Sequence, residues 1–256
     1  MSDTFIFDTH AHYYDEKFDG ICDEILSAMP KNNVGGIINC GVDIETSKIS
    51  VSLAEKYPFC YAAAGIHPES VDNDTVLDKD SLVAILKSDK AVAVGEIGLD
   101  YYWDIEFMEN QRRLFEQQLI LANEISMPTI IHDREAHKLT LELIKKHQPR
   151  GVLHCFSGSV EMAEEVIKLG MYIGIGGVVT FKNAKKICEV VKEIPIERIL
   201  LETDAPYMAP EPFRGKINNS AYINFVAEKI SEIKGIPHSK ILEITTNNAK
   251  LLFGIN

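Results

Sequence analysis

The sequence FIFDTHAH, residues 5–12 near the amino terminus, indicates the fold because its apolar pattern recurs along the chain. Its apolar run, FIFD at 5–8, leads directly into two histidines, His10 and His12. Similar short apolar runs recur along the chain at GGIINC (35–40), FCYAAAGI (59–66), AVAVGE (91–96), PTIIH (128–132), GVLHC (151–155), MYIGI (171–175) and RILLET (198–203). The eight runs together predict eight β-strands.

The segments between these runs have the apolar spacing of amphipathic helices. Phe115, Leu119 and Ala122 fall at i, i+4 and i+7, which places them on one helix face. Strict alternation of strand and helix implies parallel strands with right-handed crossovers. We therefore predict an α/β protein, a single-domain (β/α)₈ TIM barrel over residues 1–256, with a last helix near 239–251. No glycine-rich dinucleotide fingerprint follows the first strand, which disfavours a doubly wound sheet.

Composition narrows the functional classes. The chain has 256 residues, 46% of them hydrophobic, and a formal net charge of −12. An apolar leader and a spanning segment are both missing from the sequence, so we expect a soluble, cytoplasmic protein with no membrane partner. Five scattered cysteines without a CxxC motif disfavour a disulfide framework and a thiolate metal site. The acidic balance disfavours a basic surface that holds long nucleic acid, so contact with a polyanion would be local.

Polar residues that bind metals recur where the predicted strands end. Because the reactive groups of a TIM barrel lie at the carboxyl ends of its strands, we expect these side chains to meet. The proposed metal ligands are His10, His12, Glu96, His132, His154 and Asp204.

Four imidazoles and two carboxylates exceed what one tetrahedral ion needs, but they suit two ions about 3.5–4 Å apart with a bridging carboxylate. Glu96, at the end of the fourth run, is the expected bridge. Two divalent ions are therefore predicted as cofactors, with Mg²⁺, Mn²⁺ and Zn²⁺ all open, since mixed nitrogen and oxygen ligands do not decide among them. Asp8 shares the parity of His10 and is expected to accept a ring N–H from these histidines.

With these residues in place, the sequence resembles the TatD family of metal-dependent deoxyribonucleases, which is related to the amidohydrolase barrels. The motifs that carry the resemblance are DTHAH (8–12), GIHP (65–68), GEIGLDYYW (95–103), IHDREA (131–136), HCFSG (154–158), GGVVTFKN (176–183), LLETDAPYMAP (200–210) and RGK (214–216). The resemblance implies that His10, His12, Glu96 and Asp204 hold one metal, and Glu96, His132 and His154 the other. Leu139 and Ser220 depart from the family pattern, which often has Asp and Pro there.

Roles in catalysis and substrate binding follow as expectations. Asp204 is the candidate general base for a metal-activated water. Glu202 is expected to assist catalysis by orienting Asp204 or by contacting substrate, or else to be a buried acid that only supports the site. The candidate phosphate contacts are His67, Arg134, Lys182 and Arg214. The aromatic residues at 101–103 could stack an unpaired base, with core packing accounting for at least one of them. We expect a deoxyribonuclease that trims single-stranded DNA ends and has no obligate protein partner.

Two alternatives remain open at this point. The first is a two-metal barrel hydrolase that cleaves a small amide, lactone or phosphoester. The second is a non-catalytic protein that binds metal or nucleic acid and keeps the polar cluster for structure. The second alternative is disfavoured because six converging polar groups pack less well than apolar ones.

Overall fold

Eight parallel strands form one sheet in a computed structural model that describes residues 5–103 and 105–255. Their order is sequential from the first to the eighth. The strands are β1 (Ile6–Ala11), β2 (Val34–Cys40), β3 (Cys60–Ala64), β4 (Ala91–Asp100), β5 (Thr129–Arg134), β6 (Gly151–Leu153), β7 (Tyr172–Ile175) and β8 (Ile199–Leu201). The predicted barrel fold is confirmed. Positions 1–4, 104 and 256 of the predicted domain lie outside the described residues.

Helices follow the strands on the outside of the sheet. Within the described ranges they are α1 (Cys22–Ala28), α2 (Ile44–Lys56), α3 (Lys79–Leu86), α4 (Met108–Glu124), α5 (His137–His147), α6 (Val160–Lys168), α7 (Lys185–Glu193), α8 (Ile223–Lys234) and α9 (His238–Phe253). Local sequence fixes several of the boundaries. Asp43 and Thr46 form a capping box at the start of α2. Gly235 and Gly254 end α8 and α9 in the left-handed conformation that glycine adopts without strain.

The buried apolar residues form two large clusters. The first packs the outward side chains of the strands against the surrounding helices. The second takes residues from every strand, among them Phe7, Ile130 and Leu200, and joins them to Leu252 and Phe253 at the end of α9. The last helix therefore packs against the cluster that fills the barrel interior, and the carboxyl ends of the strands are left to carry polar groups.

Two strands depart from regular pairing beside the polar residues. The β1–β2 register shifts between Asp8 and Ala11, and the β4–β5 register shifts between Val94 and Ile97. Such an irregularity changes which face the following side chains occupy. Strict alternation from the start of each strand therefore does not predict the direction of the later side chains.

Contacts between β1 and the segment after β8 close the barrel. The backbone N–H of Asp204 donates to His10 O at 2.9 Å, and that of His12 donates to Ala205 O at 2.7 Å. The buried carboxylate of Asp8 accepts from Thr203 N, Thr203 Oγ1 and Ser220 Oγ. These contacts bring the first and last strands of the sheet together. Among the described residues, no helix is long and apolar enough to cross a membrane.

Candidate metal centre

Glu96 lies at the centre of the polar cluster, with a different set of histidines on each carboxylate oxygen. Oε2 lies 3.1 Å from His10 Nε2 and 3.5 Å from His12 Nε2. Oε1 lies 2.9 Å from His132 Nδ1 and 2.8 Å from His154 Nε2. The structure thus places Glu96 between two pairs of imidazoles, as a bridging carboxylate requires.

Asp204 joins the pair on the Oε2 side. Its Oδ1 lies 3.8 Å from His10 Nε2 and 3.5 Å from His12 Nε2. Its side chain is 23% exposed, compared with 4% for that of Glu96. Asp204 therefore combines closeness to the cluster with access to solvent.

Hydrogen bonds on the far side of two rings determine which nitrogen faces the cluster. His12 Nδ1 lies 2.9 Å from Cys40 O, and a carbonyl can only accept, so Nδ1 carries a proton and Nε2 is the nitrogen that faces Glu96. His132 Nε2 lies 3.0 Å from Asp100 Oδ2, which leaves Nδ1 to face Glu96. Both rings are oriented so that the nitrogen facing Glu96 could coordinate a metal once its proton is displaced.

The donor atoms suit a divalent cation. His10 Nε2 and His12 Nε2 lie 2.9 Å apart, and these atoms with one oxygen of Glu96 all lie within 4.8 Å of one another. The rings of His10 and His154 stack at 3.9 Å between centroids, which places the two histidine pairs side by side. Imidazole nitrogen and carboxylate oxygen are ligands of Zn²⁺, Mn²⁺ and related ions.

Burial and the neighbouring charges shift the pKa values of the cluster in both directions. Burial and the neighbouring His154 lower the pKa of His10 to about 4, so its ring is neutral at pH 7. Burial alone would raise the pKa of Glu96, but His67, His154 and His10 outweigh it and hold that pKa well below its usual value. Burial opposes protonation of His132, yet hydrogen bonds to Asp100 and Glu96 raise its pKa to about 10. A cation at Nδ1 of His132 would displace that proton.

The cluster opens into a cavity of about 1000 Å³ at the carboxyl ends of the strands. His12, Glu96 and Asp204 line it together with the predicted contacts His67 and Arg134. A cavity of this size at this end of a TIM barrel is the usual place for a substrate.

Comparison with known proteins assigns the chain to a family. The family model described as TatD related DNase matches residues 7–254. The chain belongs to the TatD family. It is 42% identical over 254 residues to the uncharacterized metal-dependent hydrolase YabD of Bacillus subtilis, covering 98% of this chain and 100% of that protein.

Two further relatives extend the comparison. The 3′-5′ ssDNA/RNA exonuclease TatD of Escherichia fergusonii is 31% identical over 259 residues, covering 98% of this chain and 100% of that protein. The crystal structure of YjjV, a TatD homologue from Escherichia coli, superposes with a TM-score of 0.90 at 34% identity, with full coverage of both chains. The chain is therefore a metal-dependent hydrolase of the TatD family.

Two of the predicted substrate contacts lie away from the cavity. The guanidinium of Arg214 packs 4.3 Å from the ring centroid of Phe181, and Lys182 is exposed. Neither is among the described residues that line the cavity. The basic residue on that side is Lys186, whose Nζ donates to Ser157 O at 2.8 Å. The sequence analysis missed Lys186 because it lies in a helix rather than at a strand end.

His67 faces the cluster with a protonated ring nitrogen, which is a hydrogen-bond donor rather than a metal ligand. Its Nδ1 accepts from Glu69 N at 3.1 Å, so the proton lies on Nε2, which is 3.3 Å from Glu96 Oε1. His67 Nε2–H can donate to Glu96 or to an oxygen of a bound substrate. This geometry favours the predicted substrate-contact role over metal ligation.

The surroundings of Asp8 differ from the predicted contact with a histidine ring, and those of Glu202 favour the buried supporting acid among its predicted roles. The hydrogen-bond partners of Asp8 are His10 N, Thr203 and Ser220, not a histidine ring, because the register shift in β1 separates its face from that of His10. Glu202 is 1% exposed, and its Oε1 accepts from Cys155 N. A carboxylate so enclosed cannot contact substrate. It holds the backbone next to His154 instead.

Asp100 is a functional residue that the sequence analysis missed. The apolar run predicts that the fourth strand ends at Glu96, whereas β4 continues to Asp100. Asp100 was therefore not predicted to lie at a strand end. Asp100 is fully buried and holds both His132 and the following loop. The even spacing of residues 96, 98 and 100 was the available signal.

Proposed function

We propose that this protein is a deoxyribonuclease that hydrolyses phosphodiester bonds near the ends of single-stranded DNA, using two divalent cations. The observation that carries the proposal is the division of the histidines between the two oxygens of Glu96. Support also comes from the Escherichia fergusonii relative, which is named as a 3′-5′ ssDNA/RNA exonuclease.

Each metal would have its own residues. His10, His12, Glu96 and Asp204 would hold one ion, and Glu96, His132 and His154 the other. Bound there, the ions would lower the pKa of a water toward 7 and stabilise negative charge on the phosphate. Mg²⁺, Mn²⁺ and Zn²⁺ all fit this set of ligands.

The protein's own side chains supply the proton transfer and the orientation. Asp204 accepts the proton of the attacking water, because it is the more exposed of the two ligand carboxylates that line the cavity, at 23% compared with 4% for Glu96. Burial opposes its ionisation, but interaction with the ring of His12 lowers its pKa, so it is a carboxylate at neutral pH. His67 Nε2–H and the guanidinium of Arg134 can donate to phosphate oxygens from the cavity wall.

The acidity of the protein favours short, local contact with the strand. Arg134 and Lys186 line the cavity, but so do Asp15, Glu69 and Glu135. With a net charge of −12, long-range attraction to a duplex is weak. This balance favours an unpaired end, which can enter the cavity, over a long duplex laid across the surface.

The test strips the protein with chelator, restores Mg²⁺, Mn²⁺ or Zn²⁺ separately, and follows single-stranded DNA labelled at either end. We expect cleavage only with metal, and none in Asp204→Asn. Glu211→Gln is the matched control, because it removes a carboxylate from the same β8–α8 loop outside the cavity lining, and it should cleave at the wild-type rate. Equal rates in wild type and Asp204→Asn, or no cleavage with any metal, would reject the proposal. The small-substrate alternative would then be assayed with amides, lactones and phosphoesters.

A further inference from the structure

We infer that Trp103, together with Tyr102 and Arg134, forms a subsite that stacks an unpaired nucleobase beside the metal centre. This inference rests on the proposed function, because the base belongs to the strand whose phosphate enters the cavity. The subsite would bind a base of the same DNA strand whose phosphodiester bond the metal centre hydrolyses.

Both aromatic rings are unusually open to solvent. Trp103 is 64% exposed and Tyr102 is 55% exposed, although large aromatic side chains normally gain from burial. Trp103 also lines the cavity that holds His12 and Glu96. By contrast, Tyr101 is half-buried and packs against the core, so core packing accounts for Tyr101 but not for the two exposed rings.

The two rings and Arg134 form one connected surface. The rings of Tyr102 and Trp103 meet edge to face with centroids 4.8 Å apart. The guanidinium carbon of Arg134 lies 4.0 Å from the centroid of Tyr102 but 5.2 Å from that of Trp103. Arg134 therefore covers Tyr102 more closely, and Trp103 is the ring more available to a ligand.

This surface is anchored to the metal centre by one carboxylate. Asp100 Oδ1 accepts from Tyr102 N at 2.9 Å and from Trp103 N at 3.0 Å. The other oxygen of Asp100 holds His132 Nε2 at 3.0 Å. The position of the aromatic pair relative to His132 is thus fixed by a buried side chain, and the exposed rings are held in place at the cavity.

Charge explains why the ligand is a base rather than a run of phosphates. A protein with a net charge of −12 gains little from backbone contacts along a strand. Stacking on an aromatic ring supplies affinity for any base without needing a basic surface. A paired base is already stacked on both sides in a duplex, so this subsite selects unpaired ends.

The first experiment uses Trp103 as its own probe, since it is the single tryptophan of the chain. Tryptophan fluorescence of chelator-stripped Asp204→Asn is titrated with an eight-residue oligothymidine and with an oligomer of the same length that carries abasic residues. We expect saturable quenching by oligothymidine, and at least tenfold weaker quenching by the abasic oligomer. Equal quenching by the two oligomers would overturn the subsite.

The second experiment compares Trp103→Leu and Trp103→Phe in the wild-type background. We expect Trp103→Leu to raise KM for single-stranded DNA about tenfold with kcat nearly unchanged, and Trp103→Phe to restore most of the loss. Ile105→Ala is the control: it removes a 70% exposed apolar side chain from the same loop but not from the cavity lining. An unchanged KM in Trp103→Leu would reject the inference.

The two proposals fail in different ways. If wild type cleaves DNA while Trp103→Leu keeps its KM and oligothymidine gives no quenching, the nuclease stands and the stacking subsite falls. If oligothymidine quenches selectively but no metal restores cleavage, the subsite stands and the nuclease falls. Circular dichroism of each variant checks that an altered KM does not come from misfolding.

Discussion

At the scale of single residues, two of the ring nitrogens that face Glu96 are oriented by groups outside the proposed ligand set. The carbonyl of Cys40 fixes the tautomer of His12, and Asp100 fixes that of His132. Such partners orient a ligand and strengthen its basicity. They explain why His12 and His132 each turn one particular ring nitrogen toward Glu96.

The first residue-scale prediction concerns Asp100→Asn. The amide nitrogen of Asn would face His132 Nε2, favour the opposite tautomer and turn an N–H toward Glu96. We expect metal affinity to fall about 10- to 100-fold. Activity measured against free metal concentration should shift to higher concentration, with partial recovery at saturation. Asp74→Asn, in an exposed acid, serves as the control, and an identical metal dependence in Asp100→Asn would contradict the role.

At the scale of secondary-structure elements, the junction between β5 and α5 is organised by Asp133. Its Oδ2 lies 2.7 Å from His137 Nδ1, and its Oδ1 accepts from Thr140 Oγ1 at 3.1 Å. The helix begins without a side-chain cap at Ala136, so this carboxylate ties its first two turns to the strand that carries His132. Helix and metal ligand are thereby positioned together.

The element-scale prediction is a pH dependence. The hydrogen bond to Asp133 raises the pKa of His137 above its ordinary value of 6.5. The stabilisation is therefore complete below about pH 6.5 and is lost as the pH rises through the higher folded-state pKa. Solvent screening of the half-exposed ring keeps the effect below about 1 kcal/mol. Urea unfolding of wild type and His137→Gln should show a larger gap at about pH 5.5 than at about pH 9; a gap that widens toward alkaline pH would refute this.

At the scale of the whole molecule, closure of the barrel depends on a buried polar network between its two ends. Tyr13 OH accepts from Ser220 N and pairs with Ser220 Oγ at 2.8 Å, while Ser220 Oγ donates to Asp8 Oδ2 at 2.6 Å. The relay runs from Tyr13 through Ser220 to Asp8. Because Asp8 also accepts from Thr203, this network joins β1 to the segment that carries Asp204.

The whole-molecule prediction is that Ser220→Ala weakens this closure. The variant removes a hydrogen bond to a buried carboxylate and leaves the Tyr13 hydroxyl without its acceptor, which costs about 1.5–3 kcal/mol of unfolding free energy. Ser231→Ala, which loses a bond to the neutral carbonyl of Ile236, should cost about 0.5–1.5 kcal/mol. Urea unfolding of the two variants gives both losses of unfolding free energy. Equal losses would contradict a charged acceptor for the Ser220 hydroxyl, which donates to Asp8.

The number and order of the strands, and the residues that could form the centre, could be predicted from the amino-acid sequence. Apolar runs alternate with amphipathic segments, and that pattern depends only on local periodicity. His10, Glu96, His132 and Asp204 could be grouped because parallel strands bring their carboxyl ends to one face of a barrel. The family resemblance implied the same ligands, and the family model that matches residues 7–254 confirms that the chain belongs to the family.

The contacts that position the site residues, and the further residues brought to the site, depend on the tertiary structure. The register shift in β1 turned Asp8 toward Thr203 and Ser220, and the extension of β4 brought Asp100 behind His132. Packing enclosed Glu202 and left Lys182 and Arg214 off the cavity lining, while α7 brought Lys186 to it. Local periodicity carries no information on strand irregularities, hydrogen bonds between distant segments or the reach of a side chain, because these depend on how the elements pack in three dimensions.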